Sequence, residues 1–240
     1  MIPFKDWEAR HMAGVMLLII VIVGVGGYHH LHHKLSFTDL VADFYANIST
    51  ELASIVITVV VIDGLNRRRA TEREKATLTL QLGSPNRGFA VEAARMLRVR
   101  GWLSDGGLRK VNLFGTDLQG AILGNADLRE AFLVQANLQA VDLREANLAG
   151  AYLGEAILRE ANLQNANLQE TNLIAADFQG ATLRGATLNG AKMGGVDLEG
   201  ADLRSASFNT DTILPDKTNW TENTDTGRFT DPNHPEFWRP

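Results

Sequence analysis

From Leu108 to Phe208 a large apolar residue returns at every fifth position, twenty-one times without a gap. Eighteen of these residues are Leu, and the others are Phe178, Met193 and Phe208. Two residues before each stands a small residue. It is Ala in fifteen cases and otherwise Gly106, Val111, Thr116, Val141, Thr171 or Val196. A period of five matches neither the 3.6-residue face of a helix nor the alternation of a strand, so this segment is a repeat architecture. One such unit has too little apolar surface to form a core, and its Leu is buried only by stacking on neighbouring units.

The unit reads A(D/N)Lxx, as in Ala126-Asp127-Leu128, Ala146-Asn147-Leu148, Ala161-Asn162-Leu163 and Ala201-Asp202-Leu203. Over about 105 residues this pattern resembles the pentapeptide-repeat family. The resemblance implies a mainly β fold, a right-handed quadrilateral parallel β-helix of about five coils over 106–208. Four units make each twenty-residue coil, with the central Leu and the small residue before it pointing inward. Packing agrees with that expectation, because Ala fits beside the stacked Leu where a longer side chain would clash. Coil-on-coil stacking pairs the backbone along the rod and leaves only its two ends to be capped.

The chain has 240 residues, no Cys and a formal net charge of −5. Without Cys there is no disulfide framework, no thiolate zinc site and no thiol nucleophile. The mild acidity lacks the basic excess of a nucleic-acid binder, so no nucleic-acid partner is expected.

Apolar residues outside the repeat concentrate near the start. Met12 to Tyr28 is uncharged and with Leu31 reaches the length of a bilayer span, and Val41 to Leu65 reads as a second span. Trp7, Tyr28, Phe44 and Tyr45 stand near the span ends, where interfacial aromatics belong. Lys5 and Arg10 ahead of an apolar run also suit a signal peptide. However, Val25-Gly26-Gly27 is a poor cleavage site and a second span follows. Between the spans Lys34 is the single Lys or Arg, whereas Arg67, Arg68, Arg69, Arg73 and Lys75 follow the second. The positive-inside rule then predicts a two-span hairpin over 1–65 in the inner membrane, with the lipid bilayer as a partner and both termini cytoplasmic.

Residues 66–105 read as a linker helix continuing the second span, followed by a capping helix. Gly83-Ser84-Pro85-Asn86 separates the two, with Ser84 expected as N-cap and Pro85 at the first helical position. Phe89, Ala93, Met96 and Leu97 are the expected apolar stripe of the capping helix, which with Trp102 covers the N-terminal end of the rod. Residues 209–240 read as a C-terminal cap and tail. The stretch Leu214-Pro215-Asp216-Lys217-Thr218-Asn219-Trp220 is similar to the short tail of membrane-tethered bacterial members of the family.

No nucleophile motif or phosphate-binding glycine loop occurs, and neither catalytic residues nor a cofactor is expected. The cluster His29, His30, His32 and His33 is the best candidate for a metal site, although a soluble loop joining two spans explains it more simply. Glu51, near Asn47, Ser49, Thr50 and Ser54, is the polar group expected inside the membrane, and Asp63 is expected at the inner interface beside Arg67.

Residues twenty apart share a side of a four-unit coil. One side thereby gathers Phe114, Phe132, Val134, Tyr152 and Ile174, with Phe132 against Tyr152, while the other sides are mainly polar. An apolar patch among polar neighbours marks a contact surface for the tail, a second copy or another protein. Arg144, Arg184 and Arg204 follow the next side with Asp142, Asp202 and Glu145 close by, and read as a solvated face. These features predict a non-enzymatic, membrane-tethered scaffold for protein–protein interaction on the cytoplasmic side. One alternative is a gyrase-protecting DNA mimic like those known in the family. Against it, twelve acids and eight bases are spread over the sides between Gly106 and Phe208, with Asp117, Asp177 and Asp197 the nearest to an acidic stripe. The other alternative is a membrane metal or pH sensor using the His loop.

Overall fold

The computed structural model describes residues 37–240. Met12 to Tyr28 and the four clustered His residues therefore lie outside the described residues. The chain divides into two compact units, 1–69 and 70–240, so the helical segment before the repeat belongs with the repeat.

Helix α1, Phe37–Leu82, runs for 46 residues without a break. Its part from Phe44 onward is long and apolar enough to cross a membrane, and the protein buries none of its most apolar stretch. Val56, Ile57, Val59, Val60, Val61 and Ile62 are all exposed there. Ser49 and Thr50 donate their hydroxyls to the carbonyl of Ala46, and Thr58 donates to Ser54, so these polar groups are satisfied by their own helix. Asp63 and Arg67 form an i,i+4 ion pair at 2.7 Å.

Helix α1 stops where Gly83 approaches the repeat. A Cβ at this position would stand 3.0 Å from the carbonyl oxygen of Asn112. Helix α2 then spans Arg87–Val99 with Asn86, not Ser84, as its N-cap. The Asn86 side chain accepts from the Phe89 N–H, while the Ser84 hydroxyl accepts from the Asn86 N–H. The Ser84 hydroxyl is engaged by the Asn86 N–H in a turn around Pro85, and the Asn86 side chain is the one that reaches a free N–H of the first helical turn. The buried stripe also differs from expectation. Ala90, Ala93, Ala94 and Leu97 face inward, Met96 is half-buried, and Phe89 points outward at 62% exposure. Small residues win because α2 lies close against the end of the repeat, sharing one core with Leu82, Leu103 and Leu108. A Schellman motif ends α2: Trp102 N–H donates to Leu97, Gly101 N–H donates to Arg98, and Gly101 adopts φ +72°.

From Asn112 to Ser207 every coil pairs with the next through parallel bridges twenty residues apart, along four series that define four sides. Asn112, Phe132, Tyr152, Asn172 and Lys192 mark the first side, and Asp117, Asn137, Ile157, Asp177 and Asp197 mark the second. Each side contributes one bridged residue before the next corner, so the pairing never lengthens into a continuous strand among the described residues. The corners are built alike. The Ala136 N–H donates to the carbonyl of Leu133 at 3.0 Å, and Gln135 between them sits at φ +59°. A positive φ at the third residue of a hydrogen-bonded four-residue turn is the type II pattern. Residues other than Gly accept it at many corners, including Glu130, Ala140, Glu155 and Glu170.

Inside, the Leu series and the Ala series are almost wholly buried. Thr116 and Thr171 replace Ala without leaving a polar orphan, because their hydroxyls donate to the turn carbonyls of Leu113 and Leu168 at 2.8 and 2.7 Å.

The C-terminal segment closes the other end. Ile213 pairs with Lys192 as a final strand position, one residue out of the twenty-residue step, and turns back antiparallel onto Asn219. Leu214 and Thr212 are buried, and Trp220 stacks on Phe208 at 6.2 Å. The short helix α3, Gly227–Thr230, buries Phe229 against the edge of Trp238. It is anchored by the Arg228–Asp216 ion pair and by the Gly200 N–H, which donates to Thr230 at 2.8 Å.

Candidate functional site

The side numbered by Asn112, Phe132, Tyr152, Asn172 and Lys192 carries the apolar surface expected from the twenty-residue step. Phe132 and Tyr152 stack at 5.0 Å with their rings 3° from parallel, and each remains more than 40% exposed. Stacking follows from the fold, since the two residues are bridged neighbours in successive coils. Phe114 and Ile174 are also exposed above and below this pair, while Val134 is half-buried. Ile122 and Ile157 are exposed on other sides, where their neighbours along the rod, Asp142, Asn137 and Asp177, are polar.

The C-terminal tail does not cover this side. Its large residues, Trp220, Phe229 and Trp238, pack at the end of the rod.

Sequence reasoning missed a groove at the N-terminal end of the repeat. The last three turns of α1 and the first coil border an open groove of about 670 Å³, lined by Glu72, Lys75, Thr79, Leu80, Val111 and Asn112 among others. Leu78 and Leu82, four residues apart, face the core, which leaves Leu80 outward at 79% exposure. The alternating Leu78, Leu80 and Leu82 held that signal within a segment that otherwise reads as charged.

The remaining sides carry paired charge. Arg144 donates two bonds to Asp142, and Arg204 does the same to Asp202, whose carboxylate also lies 3.9 Å from Arg184. The Arg204 hydrogen bond, outweighing the opposing desolvation, holds the Asp202 carboxyl at about 2. Asp142 is lowered in the same way by Arg144. Asp127 is shared by Arg109 and Arg129. On the second side Asp177 pairs with Arg159, and Asp197 accepts from the Gln179 amide, so the three-Asp series is partly neutralised within the rod. Glu51 lies exposed on α1. No group of His, Asp and Glu suited to a metal ion occurs among the described residues.

Comparison with known proteins places this architecture. The family model described as "Pentapeptide repeats (8 copies)" matches over 108–144, 136–173, 146–185 and 183–209. A pentapeptide repeat protein from the cyanobacterium Cyanothece 51142 is 33% identical over 44% of this chain and 89% of its own, with a TM-score of 0.26. One from Nostoc PCC 7120 is 36% identical over 44% and 82%, with a TM-score of 0.30. One from the Arabidopsis thaliana thylakoid lumen is 35% identical over 39% and 68%, with a TM-score of 0.25. A search of the curated proteins found no match. Pentapeptide-repeat proteins form right-handed quadrilateral β-helices, in keeping with the four bridge series seen here. On the repeat match and these sequence identities, the chain belongs to the pentapeptide-repeat family.

Proposed function

We propose that this protein is a non-enzymatic scaffold, tethered to the inner membrane through its N-terminal apolar segments, whose β-helix docks another protein on the cytoplasmic side. The observation that carries this reading is the stacked Phe132–Tyr152 pair, left exposed while the aromatic tail is consumed elsewhere. A single rod side that stays apolar among polar sides is the mark of a contact surface. Members of the family are in general non-enzymatic structural or protein-binding proteins, which agrees. The tether rests on the apolar stretch of α1 from Phe44 and on the Arg67, Arg68 and Arg69 run that follows it. The test is a photo-crosslinking residue at Tyr152 of the full-length protein, irradiated in native membranes. A specific adduct with one other protein is expected, absent when the same probe stands at Ile122. Adducts confined to the chain itself would end the docking reading.

A further inference from the structure

The charges bordering the apolar side specify the chemistry of its occupant, given the docking reading above. One edge of the side is the corner carrying Glu130 and Glu170, and the other edge carries Glu155 beside Gln135. Lys110, in ion pair with Glu130 at 3.1 Å, stands at the first coil, and Lys192 is exposed at the fifth. Of the three central coils, the second and fourth thus carry a carboxylate on one edge, Glu130 and Glu170, and the third carries Glu155 on the other, while Arg129 next to Glu130 is engaged by Asp127.

Two copies of this side oppose each other poorly. An antiparallel pair centred on Tyr152 sets Glu130 of one copy against Glu170 of the other and Glu155 against itself. A parallel pair sets Lys192 against Lys192. A membrane surface rich in anionic lipid meets the same carboxylates and is repelled. Strand addition is closed as well, because the backbone of this side is consumed between coils: Tyr152 N–H donates to Ala131, and Leu133 N–H donates to Tyr152. Recognition must therefore run through side chains.

We infer that the apolar side receives a protein segment that presents apolar or aromatic side chains flanked on both sides by Lys or Arg. Its apolar residues cover Phe132, Tyr152 and Ile174, and its cations meet Glu130, Glu155 and Glu170. Exposed pairs of this kind contribute more to specificity and encounter rate than to affinity.

The experiment places the full chain in nanodiscs of zwitterionic lipid and measures fluorescence anisotropy of two labelled peptides, with empty nanodiscs subtracted. The peptides share length and apolar residues but carry Lys or Glu at the flanks. The Lys peptide should bind, and Tyr152→Ser should abolish that binding. Glu155→Lys with Glu170→Lys should weaken it about five- to tenfold, most strongly at low salt. The same double variant should gain binding of the Glu peptide. Lys is sterically suited to these corners, since Lys110 adopts φ +57° at the equivalent position. If the Lys variant fails to fold, Glu155→Gln with Glu170→Gln should show the same weakening at smaller size. Equal binding of the two peptides, or no effect of the charge changes, overturns the inference. So does a twofold particle mass in the unaltered protein that Tyr152→Ser abolishes, which identifies a second copy as the occupant. The docking reading fails separately, through the Tyr152 crosslink. An adduct that persists unchanged in the double Lys variant keeps the docking face and removes the basic partner.

Discussion

Each interior Leu fills a slot whose walls are the residues twenty before and twenty after it, together with the Ala series alongside. Leu158 is fully buried in a middle coil, so Leu158→Ala opens a cavity that neighbouring coils, pinned by their bridges, close only partly. The expected loss is about 2–5 kcal/mol, read as a lower midpoint in denaturant with an unchanged slope. At the surface the same resolution applies to charge. Asp202 has a folded pKa of about 2 against an ordinary value of about 3.9. A depressed carboxylate contributes stability that is complete above the ordinary value and disappears as pH falls through the folded one. The melting temperature should therefore decline between about pH 4 and pH 2, and Asp202→Asn should flatten that decline. High salt should shrink the effect, because Arg204 is largely exposed.

At the scale of an element the unit of construction is the coil. Removing Ala146 to Asn165 joins two equivalent corners, brings Phe132 opposite Asn172 and should leave a shorter folded rod. Removing three residues from the same stretch shifts every later Leu out of its slot. Circular dichroism and melting should show a cooperative rod in the first case and loss of the repeat in the second. Equal behaviour of the two deletions would refute the stacked-coil architecture. This regularity is why the repeat was legible from sequence: a single period dictates both the inward residue and the bridged neighbour. The caps were legible only as caps. Phe89 looked like a core residue by size, but the space between α2 and the first coil admits Ala90, Ala93 and Ala94 instead. The C-terminal closure depends on Ile213 leaving the register by one residue and on Thr212 reaching the carbonyl of Leu188 at 3.0 Å. No local pattern announces such a contact.

For the molecule as a whole, the apolar side is legible in the sequence because a twenty-residue spacing sets Phe132 against Tyr152. Whether the tail covered it was not readable, since Trp220, Phe229 and Trp238 suit a side or an end equally well in sequence. Their shared destination at the end separates two tasks that composition alone conflates, closing the rod and presenting a surface. Closing has its own consequence. A coil end is a template for another coil, so a stack of identical units has no intrinsic length and grows like a polymer unless something terminates it. Helix α2 and the 209–240 segment are the two terminators. A chain ending at Phe208 should lose only the second and pair through its one open end, so that light scattering shows a mass rising with concentration toward two chains and no further. The intact chain should hold one mass over the same range.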